Sequence, residues 1–205
     1  MSYIFLIGAP GSRWSSVAKS ISSSPDIDTT DHAKERQYTH GIAEHRGSYF
    51  DPGMEFGKWF NNISSRDVKQ NEAEFNKPFT GILNKSKYRI IKSHTLATGL
   101  NYLHENWNYA KIVLVHRADN ECFNWWKEAG GFDIQYPSYA WYKDDSTMKE
   151  QIALQNKHIN EFIKQHKLEW NITDNFHLCE RLGIGIPFDN AYQIYANNDI
   201  KVAVL

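Results

Sequence analysis

The first residues that could do chemistry lie in the stretch Gly8–Ser16, which follows a short apolar run and contains glycine, proline, arginine and three serines. A strand that enters such a turn and then a helix is typical of a phosphate-binding loop, because helix N-termini attract anions. Walker A loops require G-x-x-x-x-G-K-[ST]. Gly8 and Ser15 fit this spacing, but Arg13 replaces the second glycine and Trp14 the lysine. The sequence therefore predicts a site for a phosphate-bearing ligand rather than ordinary ATP or GTP hydrolysis, with a plain strand-to-helix connection as the alternative.

Two later segments place basic and imidazole side chains directly after apolar runs. Lys92 and His94 follow one run, and Arg117 follows another. Lys92 and His94 are two residues apart and are expected to point to one side, with His94 as a candidate general base. The guanidinium of Arg117 suits a phosphate, although it could instead pair with a carboxylate such as Asp119. Since ligands bind beyond the carboxyl ends of parallel strands, we expect all three segments on one edge of a sheet.

The elements that must position these residues alternate between strands and helices. The predicted strands are Tyr3–Ile7, Ile27–Thr30, Tyr88–Lys92, Ala110–Val115 and a terminal Ile200–Leu205. The predicted helices run from near Trp14 to around Ser23–Pro25, over Glu55–Ile63 and Asp67–Phe75, from after His94 to about Glu105, over about Asn120–Ala129 with Asp119 as N-cap, and over Ser146–Lys167 and about Asp174–Leu182. Mostly apolar strands alternating with helices indicate an α/β fold, a three-layer parallel sheet flanked by helices of the P-loop nucleotide-binding type. At 205 residues the chain fits a single domain over 1–205.

Composition excludes several classes of function. A net charge of -1 argues against a general nucleic-acid or membrane-surface binder. The two cysteines, Cys122 and Cys179, are too few for a disulfide framework or metal cluster, and we expect buried free thiols. The histidines at 32, 40 and 45 fit no compact metal site. The N-terminal apolar run is too short for a transmembrane helix and lacks the flanks of a signal peptide, which favours a cytoplasmic protein.

The three segments together resemble the sulfotransferases that use 3′-phosphoadenosine 5′-phosphosulfate (PAPS), most closely the cytosolic branch in the order of the motifs. In that family a strand-turn-helix similar to Pro10–Ser16 holds the 5′-phosphosulfate. A later Lys-Thr-His looks like Lys92-Ser93-His94, and a strand that ends in arginine, like Lys111–Arg117, binds the 3′-phosphate together with a serine on the following helix. The order and spacing of these segments agree over roughly the first two-thirds of the chain.

The resemblance implies in-line transfer of a sulfuryl group from PAPS, without a metal, to a hydroxyl or amine of a small-molecule, sugar or peptide acceptor. His94 would act as the general base, and Lys92 and Arg13 would neutralise the charge that develops on the leaving phosphate. The residues implied in nucleotide binding are Pro10, Gly11, Ser12, Arg13, Trp14, Ser15, Ser16, Arg117 and Asn124, and the catalytic residues are Lys92 and His94.

The chain departs from the family pattern at two positions, and the family's late glycine-rich segment with its basic residue has no clear match in it. Gly11 stands where the family has a basic residue, and Trp125 falls on the position of the 3′-phosphate serine, so that Asn124 is the polar substitute. Two other functions remain open from the sequence. One is a P-loop kinase or NTPase relative, although no acidic residue ends the strand before Arg117, where a Walker B carboxylate belongs. The other is a non-catalytic nucleotide-binding module, which Gly11 favours.

Overall fold

A computed structural model describes most of the chain. The described residues are 2–22, 24–31, 50–51, 56–80, 87–133, 141, 143–187, 195 and 199–205, together with the backbone of 39–40 and 43–44. The strands are β1 (Ser2–Gly8), β2 (Thr39–His40), β3 (Ala43–Glu44), β4 (Tyr88–Lys92), β5 (Lys111–His116) and β6 (Lys201–Val204). The α-helices are α1 (Trp14–Ser22), α2 (Val68–Asn76), α3 (Leu100–Asn106), α4 (Asp119–Glu128), α5 (Asp145–Gln165) and α6 (Asn175–Leu182), and 3-10 helices cover Phe60–Ser65, Thr95–Gly99 and Gly131–Asp133.

The main sheet has four strands in the order β4-β1-β5-β6. β1 pairs in parallel with β4 on one side and with β5 on the other, whereas β6 runs antiparallel to β5. β2 and β3 form a separate antiparallel pair. The expected α/β class is confirmed, with a sheet that is mostly rather than wholly parallel.

Helices cover both faces of this sheet, which explains why its central strands are continuously apolar. Along β1, Tyr3 and Phe5 pack into a cluster that includes residues of α3 and α5, while Ile4 and Leu6 pack into a cluster that includes residues of α1 and α6. All four β1 side chains are fully buried. Since burying one large apolar side chain contributes about 1.5–3 kcal/mol, this strand is a strong anchor for the loop that follows it.

Several sequence expectations need correction. Ile27–Thr30 is not a strand, because only Ile27 forms an isolated bridge, to Tyr88, and the Asp28 carboxylate instead accepts bonds from Thr30 and Arg89. In the described part of Glu55–Ile63, the helix is a 3-10 helix that begins at Phe60.

Two helix starts also differ from expectation. The segment after His94 opens as a 3-10 helix and becomes α-helical only at Leu100. The N-cap of α4 is Ala118, and Asp119 is the first helical residue. The carboxylate of Asp119 accepts a bond from Asn156 of α5 at 2.6 Å, so this side chain ties two helices together instead of capping its own.

Candidate functional site

Parallel pairing brings three chemistry-bearing segments to one edge of the sheet. In the β1–β4 register Leu6 lies opposite Lys92, and in the β1–β5 register Gly8 lies opposite Val115. The carboxyl ends of the three strands therefore lie together, and the loop after Gly8, the Lys92–His94 segment and Arg117 all leave from this edge. We call it the carboxyl edge.

The strand order gives a topological switch point at this edge, between β1 and β5, which we call the crevice. The chain passes from β1 to its neighbour β4, and then returns across β1 to form β5 on the opposite side. Connections that leave two adjacent strands in opposite directions open a space between their carboxyl ends, where α/β proteins bind ligands. Here that space lies between β1 and β5, whose next residues lead to Arg13 and Arg117.

The loop between β1 and α1 is shaped by its contact with α4. Gly11 has a φ of 77°, and a Cβ atom placed on it would lie 1.9 Å from the carbonyl oxygen of Cys122. Only glycine fits this backbone conformation and this distance, because a side chain would overlap the helix backbone. Packing of the loop against α4 therefore explains the glycine at position 11.

Arg13 takes an unusual backbone conformation at the end of the same loop. Its φ is 64°, a left-handed value that costs a non-glycine residue about 1–2 kcal/mol. The carbonyl of Arg13 accepts the N–H of Ser16 at 2.9 Å, which starts α1. This geometry turns the side chain towards α4, and its guanidinium carbon lies 3.8 Å from the ring centroid of Trp125.

Two buried donors at this crevice have no hydrogen-bond partner among the described residues. They are the hydroxyl of Ser12, which is fully buried, and the Nε of Arg117. The other Arg117 nitrogens donate to the backbone carbonyl and the carboxylate of Glu121, at 3.1 and 3.3 Å. Buried polar atoms are normally satisfied, so these donors fit an acceptor from outside the protein.

The two arginines of the crevice influence each other. Partial burial lowers the pKa of Arg13, and the charge of Arg117 lowers it further, against an opposing effect of Glu128. Both guanidiniums nevertheless remain cations because arginine is protonated at any physiological pH. Holding two like charges close together is unfavourable unless an anion neutralises them. The pair thus has the charge and the planar donors that a phosphate requires.

The remaining nucleotide-site candidates occupy different positions around the loop. Pro10 is buried, Trp14 is buried in the core cluster beneath α1, and Ser15 and Ser16 are half-buried in the first turn of α1. Asn124 is exposed on α4. Its neighbour Trp125, rather than Asn124, makes the contact with the loop.

Lys92 and His94 lie on the β4 side of the carboxyl edge and are almost completely buried. Lys92 has no exposed surface, and His94 is 2% exposed. The Lys92 ammonium lies 5.7 Å from the ring centroid of Trp14, and the same ring meets the His94 ring edge-on with centroids 6.2 Å apart. A second tryptophan, Trp141, faces His94 at 5.7 Å.

Protein groups face both ring nitrogens of His94. Nδ1 is 2.9 Å from the amide nitrogen of Gln155 in α5, and Nε2 is 3.5 Å from Oδ2 of Asp51. Burial lowers the pKa of His94, and the Asp51 charge and the Gln155 hydrogen bond offset only part of this effect. The ring is therefore neutral near pH 7, which is the state that a general base needs.

Asp51 and Gln155, which face the two ring nitrogens of His94, were not among the site residues predicted from the sequence. Asp51 falls within a polar loop, where nothing local marks one carboxylate from another. Gln155 could have been found from the sequence, because it interrupts the apolar face of α5 between Ile152 and Ile159. It is fully buried there. A polar residue at a core position of an amphipathic helix requires a partner.

The two cysteines are buried and free, as expected. Burial raises the pKa of the Cys122 thiol to about 12 and that of Cys179 to about 11, so neither is a nucleophile at neutral pH. Among the described residues, no three His, Cys, Asp or Glu side chains are grouped so that they could bind a metal. No helix in the described part of the chain combines the length and apolarity needed to cross a membrane.

Comparisons of the chain with models of known protein families, with curated proteins and with solved structures found no match.

Proposed function

We propose that this chain is a PAPS-dependent sulfotransferase built on a P-loop type of nucleotide-binding fold. The observation that carries the proposal is the convergence, at the β1/β5 crevice, of two arginines, Arg13 and Arg117, with a loop whose buried Ser12 hydroxyl has no hydrogen-bond partner in the described part of the chain. A nucleotide with phosphates on both the 3′ and 5′ positions matches two cations better than one with a single phosphate group.

The arrangement of Lys92 and His94 supports the same reaction. Both lie at the end of β4, which pairs with the strand β1 that leads into the loop, and in this proposal the sulfuryl group of a donor bound on the loop lies towards them. Lys92 would stabilise the charge that grows on the departing phosphate oxygen, and His94 would accept the proton of the hydroxyl or amine. Sulfuryl transfer of this kind depends on positioning and electrostatics, as phosphoryl transfer does.

Thermal unfolding with different nucleotides tests the cofactor. At a concentration of 100 Kd, adenosine 3′,5′-bisphosphate stabilises the folded chain by about 2.7 kcal/mol, which corresponds to a rise in Tm of roughly 5–10 °C at this size. We expect no comparable rise with ATP and magnesium or with AMP. A rise with ATP and magnesium alone would favour an NTPase relative and refute the proposal.

Substitution of Arg117 tests the 3′-phosphate site. Arg117→Gln is expected to weaken adenosine 3′,5′-bisphosphate by at least tenfold, since one charged hydrogen bond contributes about 1.5–3 kcal/mol, and to change AMP binding little. Arg181→Gln, which removes the same charge from an exposed position on α6, is the matched control. Equal losses for the two nucleotides would assign Arg117 a structural role.

A non-catalytic nucleotide-binding module is the second candidate, because His94 is 2% exposed and both its nitrogens face protein groups. An assay of sulfuryl transfer distinguishes the sulfotransferase from the non-catalytic module. A sulfotransferase releases adenosine 3′,5′-bisphosphate from PAPS when phenol, sugar or amine acceptors are added, and His94→Ala abolishes release while nucleotide binding persists. Binding without release over the whole acceptor panel would favour the module.

A further inference from the structure

The carboxylate of Asp51 is held in one orientation by the residues around His94. Its Oδ1 accepts the hydroxyls of Ser93 and Thr95 at 2.9 and 2.6 Å and the N–H of Thr95 at 3.4 Å. Asp51 has no exposed surface. With Oδ1 fixed in this way, Oδ2 faces Nε2 of His94 and has no hydrogen-bond partner among the described residues. An anionic oxygen at 3.5 Å repels a nitrogen lone pair and attracts an N–H.

Gln155 constrains the other ring nitrogen. Its amide nitrogen, 2.9 Å from Nδ1, can only donate, so Nδ1 must be the acceptor. The amide oxygen of Gln155 is buried and has no hydrogen-bond partner among the described residues. The ring is thus placed between an acceptor that requires hydrogen on Nε2 and a donor that requires a lone pair on Nδ1.

We propose that Asp51 is a positioning residue that holds His94 as the Nε2–H tautomer, so that Nδ1 is the nitrogen that takes the proton of the acceptor. The origin of that proton rests on the proposed function, whereas the tautomer does not. The role resembles that of any buried carboxylate that orients a catalytic imidazole. Here the residue comes from a segment far from the Lys-Ser-His sequence, so the sequence alone does not associate it with His94.

Proton transfer to Nδ1 requires Gln155 to move. The acceptor hydroxyl replaces the amide nitrogen at Nδ1 and gives up its proton there while its oxygen bonds to sulfur. The bond from sulfur to the 5′-phosphate oxygen breaks, and adenosine 3′,5′-bisphosphate leaves with the electron pair. The imidazolium keeps its Nε2–H towards Asp51 and later releases the Nδ1 proton to water. If the Gln155 amide rotates, its oxygen can accept Nδ1–H in the interval.

The charged and aromatic groups that face His94 support this assignment. Asp51 stabilises the imidazolium from one side. The rings of Trp14 and Trp141 flank the imidazole, and the cation of Lys92 lies 5.7 Å from the Trp14 ring. The Asp51 carboxylate therefore counters the effect of burial on the imidazole when Nδ1 gains its proton.

The tautomer can be observed without activity. Wild-type protein labelled with ¹⁵N-histidine gives two-bond ¹H–¹⁵N correlations that distinguish a ring protonated on Nε2 from one protonated on Nδ1, and His94→Gln identifies the resonances of this residue. We expect the Nε2–H pattern near pH 7. An Nδ1–H pattern overturns the inference, whether or not the protein transfers sulfuryl groups.

Asp51→Asn tests the role of the carboxylate. Asparagine keeps an oxygen for the Ser93 hydroxyl but sets an amide NH₂ opposite Nε2, so the tautomer should reverse to Nδ1–H. In the active protein kcat should fall by about 10²–10⁴-fold, and the limb of the pH–rate profile that reports His94 should move to lower pH because the charge that raises its pKa is gone.

Asp28→Asn is the matched control, because it removes a carboxylate of low exposure that pairs with Arg89 at the opposite end of β4. It should change neither the His94 tautomer nor the pH profile. An Asp51→Asn protein that keeps the Nε2–H pattern contradicts the inference. If no PAPS-dependent transfer is found, the proposed function fails, but the ¹⁵N spectra still decide the tautomer of His94. If Asp51→Asn does not fold, the spectrum of the wild-type protein decides it.

Discussion

Replacement of Gly11 tests the close approach of the β1–α1 loop to α4. Gly11 has a φ of 77°, and an added Cβ would lie 1.9 Å from the carbonyl oxygen and 2.7 Å from the carbonyl carbon of Cys122. In the sulfotransferases that the chain resembles, a basic residue stands here, and from that resemblance alone Gly11→Lys would be expected to strengthen nucleotide binding. The structure predicts the reverse, since any side chain forces the loop away from the helix.

The magnitude follows from two separate costs. A left-handed backbone costs a residue with a Cβ about 1–2 kcal/mol. Separating the loop from α4 adds an overpacking cost of about 1–3 kcal/mol. For Gly11→Ala the free energy of unfolding should therefore fall by about 2–5 kcal/mol, which lowers Tm by roughly 4–20 °C for a chain of this length.

Thermal and urea unfolding measure this loss, and Gly183→Ala is the control. Gly183 ends α6 with a φ of 69°, but no described atom lies within 4 Å of its added Cβ. It should lose only the conformational cost of about 1–2 kcal/mol. Gly11→Ala should also weaken adenosine 3′,5′-bisphosphate, whereas Gly183→Ala should not. Equal destabilisation by the two variants would refute the close approach.

Three further predictions concern the charges around the site and the sheet. Trp125→Ala removes the ring that supports Arg13, and a cation–π contact contributes about 0.5–2 kcal/mol. Calorimetry should therefore show adenosine 3′,5′-bisphosphate binding about 2- to 30-fold more weakly to the variant. An unchanged Kd would contradict a supporting role for Trp125. Asp28→Asn should lower the free energy of unfolding by about 1.5–3 kcal/mol. Burial raises the pKa of Asp28, but hydrogen bonds, including one from Arg89, lower it by more. In urea titrations the stability difference between Asp28→Asn and the wild type should therefore be present above about pH 4 and disappear as the pH falls through the folded pKa. A difference that stayed constant down to acid pH would show that ionisation of Asp28 is not its source. Burial lowers the pKa of His94, so below about pH 6.5 the unfolded chain binds more protons than the folded chain, and the free energy of unfolding should decrease as the pH falls. His94→Gln should reduce this decrease. If the decrease were as large in His94→Gln as in the wild type, the buried ring would not be its cause.

The strands of the sheet were predictable where the local sequence pattern was typical of a strand. β1, β4 and β5 are short, mostly apolar runs ended by glycine or a polar residue, a composition typical of strands covered on both faces. The direction of β6 was not predictable, because an apolar strand has the same composition whether it pairs parallel or antiparallel. It pairs antiparallel to β5, with Val113 opposite Val204.

The residues of the candidate site likewise divide into those that the sequence could group and those that it could not. Residues within one continuous segment, such as Lys92 and His94, could be grouped by counting. Asp51 and Gln155 could not, since each reaches His94 through tertiary packing over 43 and 61 positions of sequence. The carboxylate partner of Arg117 is Glu121 and not Asp119, whose carboxylate instead accepts a bond from Asn156 of α5.

The sequence by itself determined the kinds of groups at the carboxyl edge and the strands that deliver them, because apolar runs and their polar ends are local properties. Only the tertiary structure decided how those groups are used. The order of the strands set Arg13 near Arg117, the approach of α4 required glycine at position 11, and packing of α5 on the 3-10 helix Thr95–Gly99 enclosed His94 between Asp51 and Gln155. Each of these depends on distances between segments remote in the chain, which composition and spacing do not contain.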